Sequence, residues 1–290
     1  MIVLPECALM TPDGCDCLTA LVLMPPFRHR LTTSAMVLVP QDPVRILPND
    51  RPLQATFQTA GLLLPVVPGG NECHLYSLAE DDNAMTDTSR HTHWEQVYTT
   101  KGEREVSWFQ ESAEPSMELL RATGASADTR IIDIGAGASR LVDTLVHGGF
   151  QNVTVLDLSE AALSTARARL GARAETVQWI AADVTRWEPA QTFDVWHDRA
   201  AFHFLTEDTD RAAYVERMRR AVRPGGHVIL GTFALDGPER CSGLAVVRYS
   251  GETLADTLGA DFQLLATISH LHTTPWGSQQ SFQFSTFRVA

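Results

Sequence analysis

The chain has 290 residues, 44% of them hydrophobic, and a formal net charge of −12. That is enough apolar material for one large domain or two small ones, and the acidic balance excludes a general polyanion binder. The five cysteines (Cys7, Cys15, Cys17, Cys73 and Cys241) are odd in number and unevenly spaced, which excludes a disulfide framework.

Residues 1–85 carry ten of the fifteen prolines and four of the five cysteines, and their short apolar runs are cut by Pro40, Pro43, Pro48, Pro52, Pro65 and Pro68. A poorly structured, largely irregular extension with a strand or two is expected there. Asp13 and Asp16 interrupt the first apolar residues, and Pro25 and Pro26 break the run at 21–27. Neither a secretory signal nor a membrane span is expected, and the setting reads as reduced and cytoplasmic. Cys7, Cys15, Cys17, Cys73, His29 and His74 lack the paired spacing of zinc ligands, so no metal is expected. Met85 opens the recognisable part and would suit the start of a compact enzyme.

Within 86–290 the elements follow a regular rhythm. A helix is expected near 93–99, and another starts at Pro115, where the missing N–H costs little. Strand one is 130–134, followed by a helix over 139–147 that Gly148-Gly149 ends. Strand two is 153–156, closed by Asp157; Ser159 caps the next helix, which carries Leu163, Ala166 and Leu170. Strand three is 177–181 and strand four 193–196; a helix over 211–222 leads through Arg-Pro-Gly-Gly to strand five at 227–232. A helix near 252–258 precedes two long β segments, 262–270 and 281–289, joined by a Pro/Gly turn and read as an antiparallel pair.

Residues 131–137, Ile-Ile-Asp-Ile-Gly-Ala-Gly, describe a buried strand ending in a tight turn that lets backbone approach a nucleotide-type ligand. The position of the third glycine in a nicotinamide fingerprint is Arg140. Asp133 precedes the glycine pair, Asp157 ends strand two and Asp183 follows strand three. Asp157 is placed to accept from both ribose hydroxyls and Asp183 from an exocyclic adenine amine. Three acids at adjacent strand ends suit a cationic, phosphate-free adenosine ligand such as S-adenosylmethionine and would repel a diphosphate.

Residues 91–290 resemble class I S-adenosylmethionine-dependent methyltransferases. The likeness lies in Ile-Ile-Asp-Ile-Gly-Ala-Gly, Val-Leu-Asp, Ala-Ala-Asp-Val, Phe-Asp-Val-Trp-His-Asp-Arg and Arg-Pro-Gly-Gly. The front end, with Trp94, Tyr98 and Val106-Ser107-Trp108-Phe109, is similar to elongation-factor lysine methyltransferases. Ser139 stands where many members have a third glycine. The resemblance implies a Rossmann-like, doubly wound α/β fold whose seven-stranded sheet has the order 3-2-1-4-5-7-6, with strand 7 antiparallel. It also implies that Gly135 and Gly137 pass under the methionine part of the cofactor and that Asp133 helps hold its ammonium. Asp157 with Leu158 would bind the ribose, and Asp183 with Val184 the adenine. His197 would lie near the sulfonium.

Methyl transfer from a sulfonium asks the protein mainly to position the nucleophile, with a base only where that nucleophile is protonated. Trp94, Tyr98, Trp108, Arg199 and Cys241 are candidate acceptor residues, and His197 and His203 candidate catalytic ones. Each has a plainer reading: His203 fastening a helix, Arg199 paired with Asp198, Cys241 packed as a small residue, the aromatics as core. Three functions stay open. A methyltransferase acting on a small molecule comes first, one acting on a protein lysine second, and a non-catalytic cofactor-binding module or nicotinamide oxidoreductase third. Neither a nucleic acid nor a membrane is an expected partner.

Overall fold

The computed structural model describes residues 87–290, with side chains from residue 90, and the backbone of six short strands within residues 2–75. The chain divides into two units, Met1–Asp82 and Asn83–Ala290. In the first, Ile2–Val3 pairs with Leu21–Val22, Cys7–Thr11 with Gly14–Leu18, and Val66–Gly69 with Glu72–Leu75, all antiparallel. The rest of the extension, Met85 and the side chains of its cysteines and histidines lie outside the described residues.

The second unit is built on seven strands: β1 (Arg130–Ile134), β2 (Asn152–Asp157), β3 (Val177–Ala181), β4 (Phe193–Arg199), β5 (Val222–Phe233), β6 (Phe262–Thr273) and β7 (Gln279–Val289). They form one sheet in the order β6-β7-β5-β4-β1-β2-β3. β1 to β5 run parallel, and β7 lies antiparallel to both β5 and β6. This is the expected order, read from the other edge.

Six helices cover the sheet: α1 (Asp87–Thr100), α2 (Ser116–Ala122), α3 (Leu141–His147), α4 (Glu160–Leu170), α5 (Asp208–Ala221) and α6 (Gly251–Leu258). Because strand side chains alternate, Ile131 packs with Leu120, Leu145 and Leu163 of α2 to α4, while Ile132 and Ile134 pack with Tyr214 and Met218 of α5 and Leu254 of α6. Both faces of β1 are therefore buried, which is why its sequence after Arg130 is apolar except at Asp133. α4 starts at Ser159, whose hydroxyl accepts the Ala162 N–H at 3.1 Å, and buries Leu163, Ala166 and Leu170 at helical spacing. No helix among the described residues is long and apolar enough to cross a membrane.

Several elements run past the sequence expectation, β4 and β5 among them. β4 runs on to Arg199, pairing Asp198 with Ile134 and Leu230, so His197, Asp198 and Arg199 are strand residues rather than a following loop. β5 starts at Val222, and the residues between Val222 and His227 form a bulge opposite Phe193 and Val195.

Candidate functional site

The carboxyl ends of β1 to β4 open into one cavity, closed on its other side by Cys241 and by Gln280 and Phe282 of β7. Its floor is the turn after β1. Gly135 and Gly137 adopt φ of +58° and +56°, and the turn is tied down by the Gly135 N–H donating to the Leu156 carbonyl at 2.8 Å. A Cβ on Gly135 would lie 2.4 Å from the Ala201 Cβ, and one on Gly137 would lie 2.1 Å from the Tyr98 hydroxyl. Only glycine fits either place. The Ser139 hydroxyl accepts the Leu141 N–H at 3.1 Å, so serine serves the start of α3 where a third glycine was expected.

The three predicted acids are brought together on this wall, in different states. Asp133 is buried; its Oδ1 meets His197 Nδ1 at 2.7 Å, while its Oδ2 is buried with no hydrogen-bond partner among the described residues. An orphaned carboxylate oxygen on the wall of a cavity is costly unless a donor arrives, and an ammonium is a suitable one. Asp157 accepts the Gly137 N–H at 2.6 Å and the Ser159 N–H at 2.8 Å, and burial pushes its carboxyl up to about 6 against those bonds. Asp183 accepts from the Thr185 backbone and hydroxyl at 2.8 and 2.7 Å, and its other oxygen is bridged by Arg90 at 3.1 Å. Leu158 and Val184 line the cavity beside them.

Arg90 belongs to α1, a helix the sequence placed too short, so that Trp94 and Tyr98 were named as site residues and Arg90 was missed. Arg90 also pairs with Asp210 at the start of α5. One turn on, Glu95 accepts the Ser159 hydroxyl at 2.7 Å and the Ala161 N–H at 3.3 Å. Tyr98 packs against Gly137 and accepts the Trp108 indole N–H at 3.2 Å. α1 thus lies over the β2–β3 half of the cavity, tied there through Arg90, Glu95 and Tyr98.

β4 separates the two halves. His197 is buried with both ring nitrogens engaged, the second by the Ser116 hydroxyl at 2.9 Å, so it joins α2 to Asp133. Asp198 points the other way. It accepts the Ala201 and Phe202 N–H groups and the Tyr214 hydroxyl, and does not pair with Arg199. His203 lies off the cavity wall; its Nδ1 accepts the Phe233 N–H at 3.3 Å, and burial drives it down to about 3, so it stays neutral. The fastening alternative for His203 is the one this geometry fits.

Beyond β4 the wall is aromatic. Trp94 stands edge-on to Trp108 and Phe204, with centroids 5.6 and 4.9 Å apart. Arg199 lies over the Phe282 ring at 5.8 Å and donates to the Trp108 carbonyl at 2.8 Å. Cys241 is a buried free thiol on the same wall, pushed up to about 11 by burial and hence protonated. Phe204, Gln280 and Phe282 complete this end and were missed as site residues. The period-two alternation of β7, with Gln280 and Phe282 on one face, was the signal that could have found the last two.

Residues 131–226 match the family described as "Methyltransferase domain". The chain is 26% identical over 178 residues to EEF1A lysine methyltransferase 2 of Danio rerio, covering 56% of this chain and 76% of that protein. It is 34% identical over 115 residues to a ubiquinone biosynthesis O-methyltransferase of Alkalilimnicola ehrlichii, but covers only 45% of that protein's length. The fold is similar to that of the N-methyltransferase NodS from Bradyrhizobium japonicum WM9, solved with S-adenosyl-L-homocysteine, with a TM-score of 0.53 at 18% identity over 68% of this chain and 98% of that one.

Proposed function

We propose that the chain is a class I S-adenosylmethionine-dependent methyltransferase that transfers the methyl group to a small molecule held beyond β4, a reading supported by the match of residues 131–226 to a methyltransferase domain and by the methyltransferase relatives. We assign this activity to residues 86–290 and treat residues 1–85 as an extension. The observation that carries the small-molecule reading is the acceptor end itself: a recess under α1 walled by Trp94, Trp108, Phe204 and Phe282. Such a recess suits a flat, mostly apolar molecule that can be enclosed whole.

The donor residues fit the cofactor. In this reading the free Oδ2 of Asp133 takes the ammonium, held in place by His197 and, through it, by Ser116. Asp157 takes the ribose hydroxyls and Asp183 with the Val184 backbone the adenine, Asp183 sharing its carboxylate with Arg90. The glycine turn brings backbone close under the methionine part. S-adenosylmethionine supplies a methyl on a sulfonium whose leaving group is a neutral thioether. The chain's part is to hold acceptor and donor in line and exclude water. His197, with both nitrogens used, acts as a positioning residue rather than a base.

A protein lysine is the second reading, favoured by the extent of the likeness to EEF1A lysine methyltransferase 2. Labelled S-adenosylmethionine incubated with the protein and a cell extract separates the two. Label in the small-molecule pool is expected; label confined to protein contradicts the proposal.

A further inference from the structure

Four cationic side chains stand on the cavity wall: Arg90, Lys101, Arg140 and Arg199. Arg90 is paired with Asp183 and Asp210, Arg140 with Glu103, and Lys101 is exposed to solvent. Arg199 is different. Among the described residues no carboxylate lies within ion-pair distance of it, and the carboxylate next to it in sequence, Asp198, is fully used on the opposite face. One of its five N–H donors meets the Trp108 carbonyl, and its plane rests on Phe282. Burial depresses the guanidinium to about 10, still charged at neutral pH. At the same end, Gln280 holds a buried side-chain oxygen with no partner. A partly buried guanidinium with no carboxylate partner among the described residues is unfavourable unless an anion meets it, and its planar fork matches a carboxylate or phosphate.

We propose that Arg199 anchors an anionic group of the methyl acceptor, so that the acceptor is a flat, largely apolar acid with a further polar group facing Gln280. This rests on the small-molecule reading above. Asp133 is the nearby carboxylate that favours the charged Arg199, and the cofactor's ammonium would claim its free oxygen. The cofactor also brings a sulfonium. An anionic acceptor would meet the Arg199 guanidinium, whereas a lysine ammonium would be repelled by it and by the sulfonium. The cofactor's own carboxylate is the other anion that could reach Arg199, and the test separates the two.

The protein saturated with S-adenosylhomocysteine is titrated calorimetrically with 3-hydroxybenzoate and with 3-hydroxybenzamide, as wild type and as Arg199→Met. The acid is expected to bind wild type at least about tenfold more tightly than the amide, and Arg199→Met to abolish that preference while changing S-adenosylhomocysteine affinity less than about threefold. Arg199→Lys, which keeps the charge without the fork, should retain part of the preference and serves if the methionine variant melts. Acid binding no better than amide binding, or a preference that survives Arg199→Met, overturns the proposal. So does a roughly tenfold loss of S-adenosylhomocysteine affinity in that variant, which assigns Arg199 to the cofactor's carboxylate. Methyl label found only in protein, with the acid preference intact, overturns the small-molecule reading and leaves Arg199 as an anion anchor.

Discussion

At the residue scale, Asp157 and Asp198 show how one chain sets two buried carboxylates to opposite ends. Both are pushed up to about 6 by burial, yet Asp198 is spent on the turn after β4 while Asp157 faces the cavity. For each, the folded value lies above the roughly 3.9 of an unfolded aspartate, so the relative stability present below pH 4 is lost as pH rises through 6. A ribose donating to Asp157 favours its charged form. S-adenosylhomocysteine affinity should therefore fall as pH drops through about 6, and Asp157→Asn should bind weakly with that inflection gone; a calorimetric series from pH 7.5 to 5 reads it, and a flat profile for wild type would count against the ribose role. His203 gives the opposite expectation. Removing it with alanine strands the Phe233 N–H and should lower stability by about 1–3 kcal/mol, read by urea unfolding, while S-adenosylhomocysteine affinity stays within about twofold. A large loss of affinity at unchanged stability would restore it to the site. Asp133, Asp157 and the glycine pair were legible because short-range pattern places them at strand ends. The partners of Arg90 and His197 were not, because they lie 64 to 120 residues away and only the folded chain brings them near.

At the element scale, β1 and β3 were legible to the residue, β1 as a nearly apolar strand buried on both faces and β3 as an edge strand of β-favouring Val177, Trp179 and Ile180 interrupted by exposed Gln178. β4 was read too short: its last three residues, His197-Asp198-Arg199, are polar, and their pairing is enforced by β1 and β5 rather than by their own hydrophobicity. Extending the strand explains the chemistry, since alternation then puts His197 and Arg199 on the cavity face and Asp198 on the α5 face. α1 is held less by an apolar stripe than by polar ties, Arg90 to Asp183 and Asp210 and Glu95 to the start of α4. Elements held this way are drawn from the less stable end of a fold, and α1 roofs the cofactor half. Arg90→Ala should speed release of S-adenosylhomocysteine by a factor of up to about ten, given a part-buried two-carboxylate tie worth on the order of 1 kcal/mol. Stopped-flow displacement measures it, and an unchanged rate would show that α1 does not gate the nucleotide end.

At the scale of the whole molecule, the sheet order assigns the two halves of the cavity. β1, β2 and β3 lie on one side and carry Asp133, Asp157 and, just beyond β3, Asp183; β4, β5 and β7 lie on the other and carry Arg199 and Phe282, with Cys241 following β5. Strand order reverses between β1 and β4, the crevice where ligands of open α/β sheets bind. The alternating β/α rhythm made this architecture readable. What the acceptor half would take was not readable, because its wall is assembled from α1, the turn after β4, the hairpin at Cys241 and β7. The most direct measurement is calorimetric titration of the wild-type chain and of Asp157→Ala with S-adenosylmethionine and with NADH. Saturable one-to-one binding of S-adenosylmethionine to wild type, lost in Asp157→Ala, with no binding of NADH, is the expected result. Binding of NADH without S-adenosylmethionine, or unchanged S-adenosylmethionine affinity in Asp157→Ala, would contradict it.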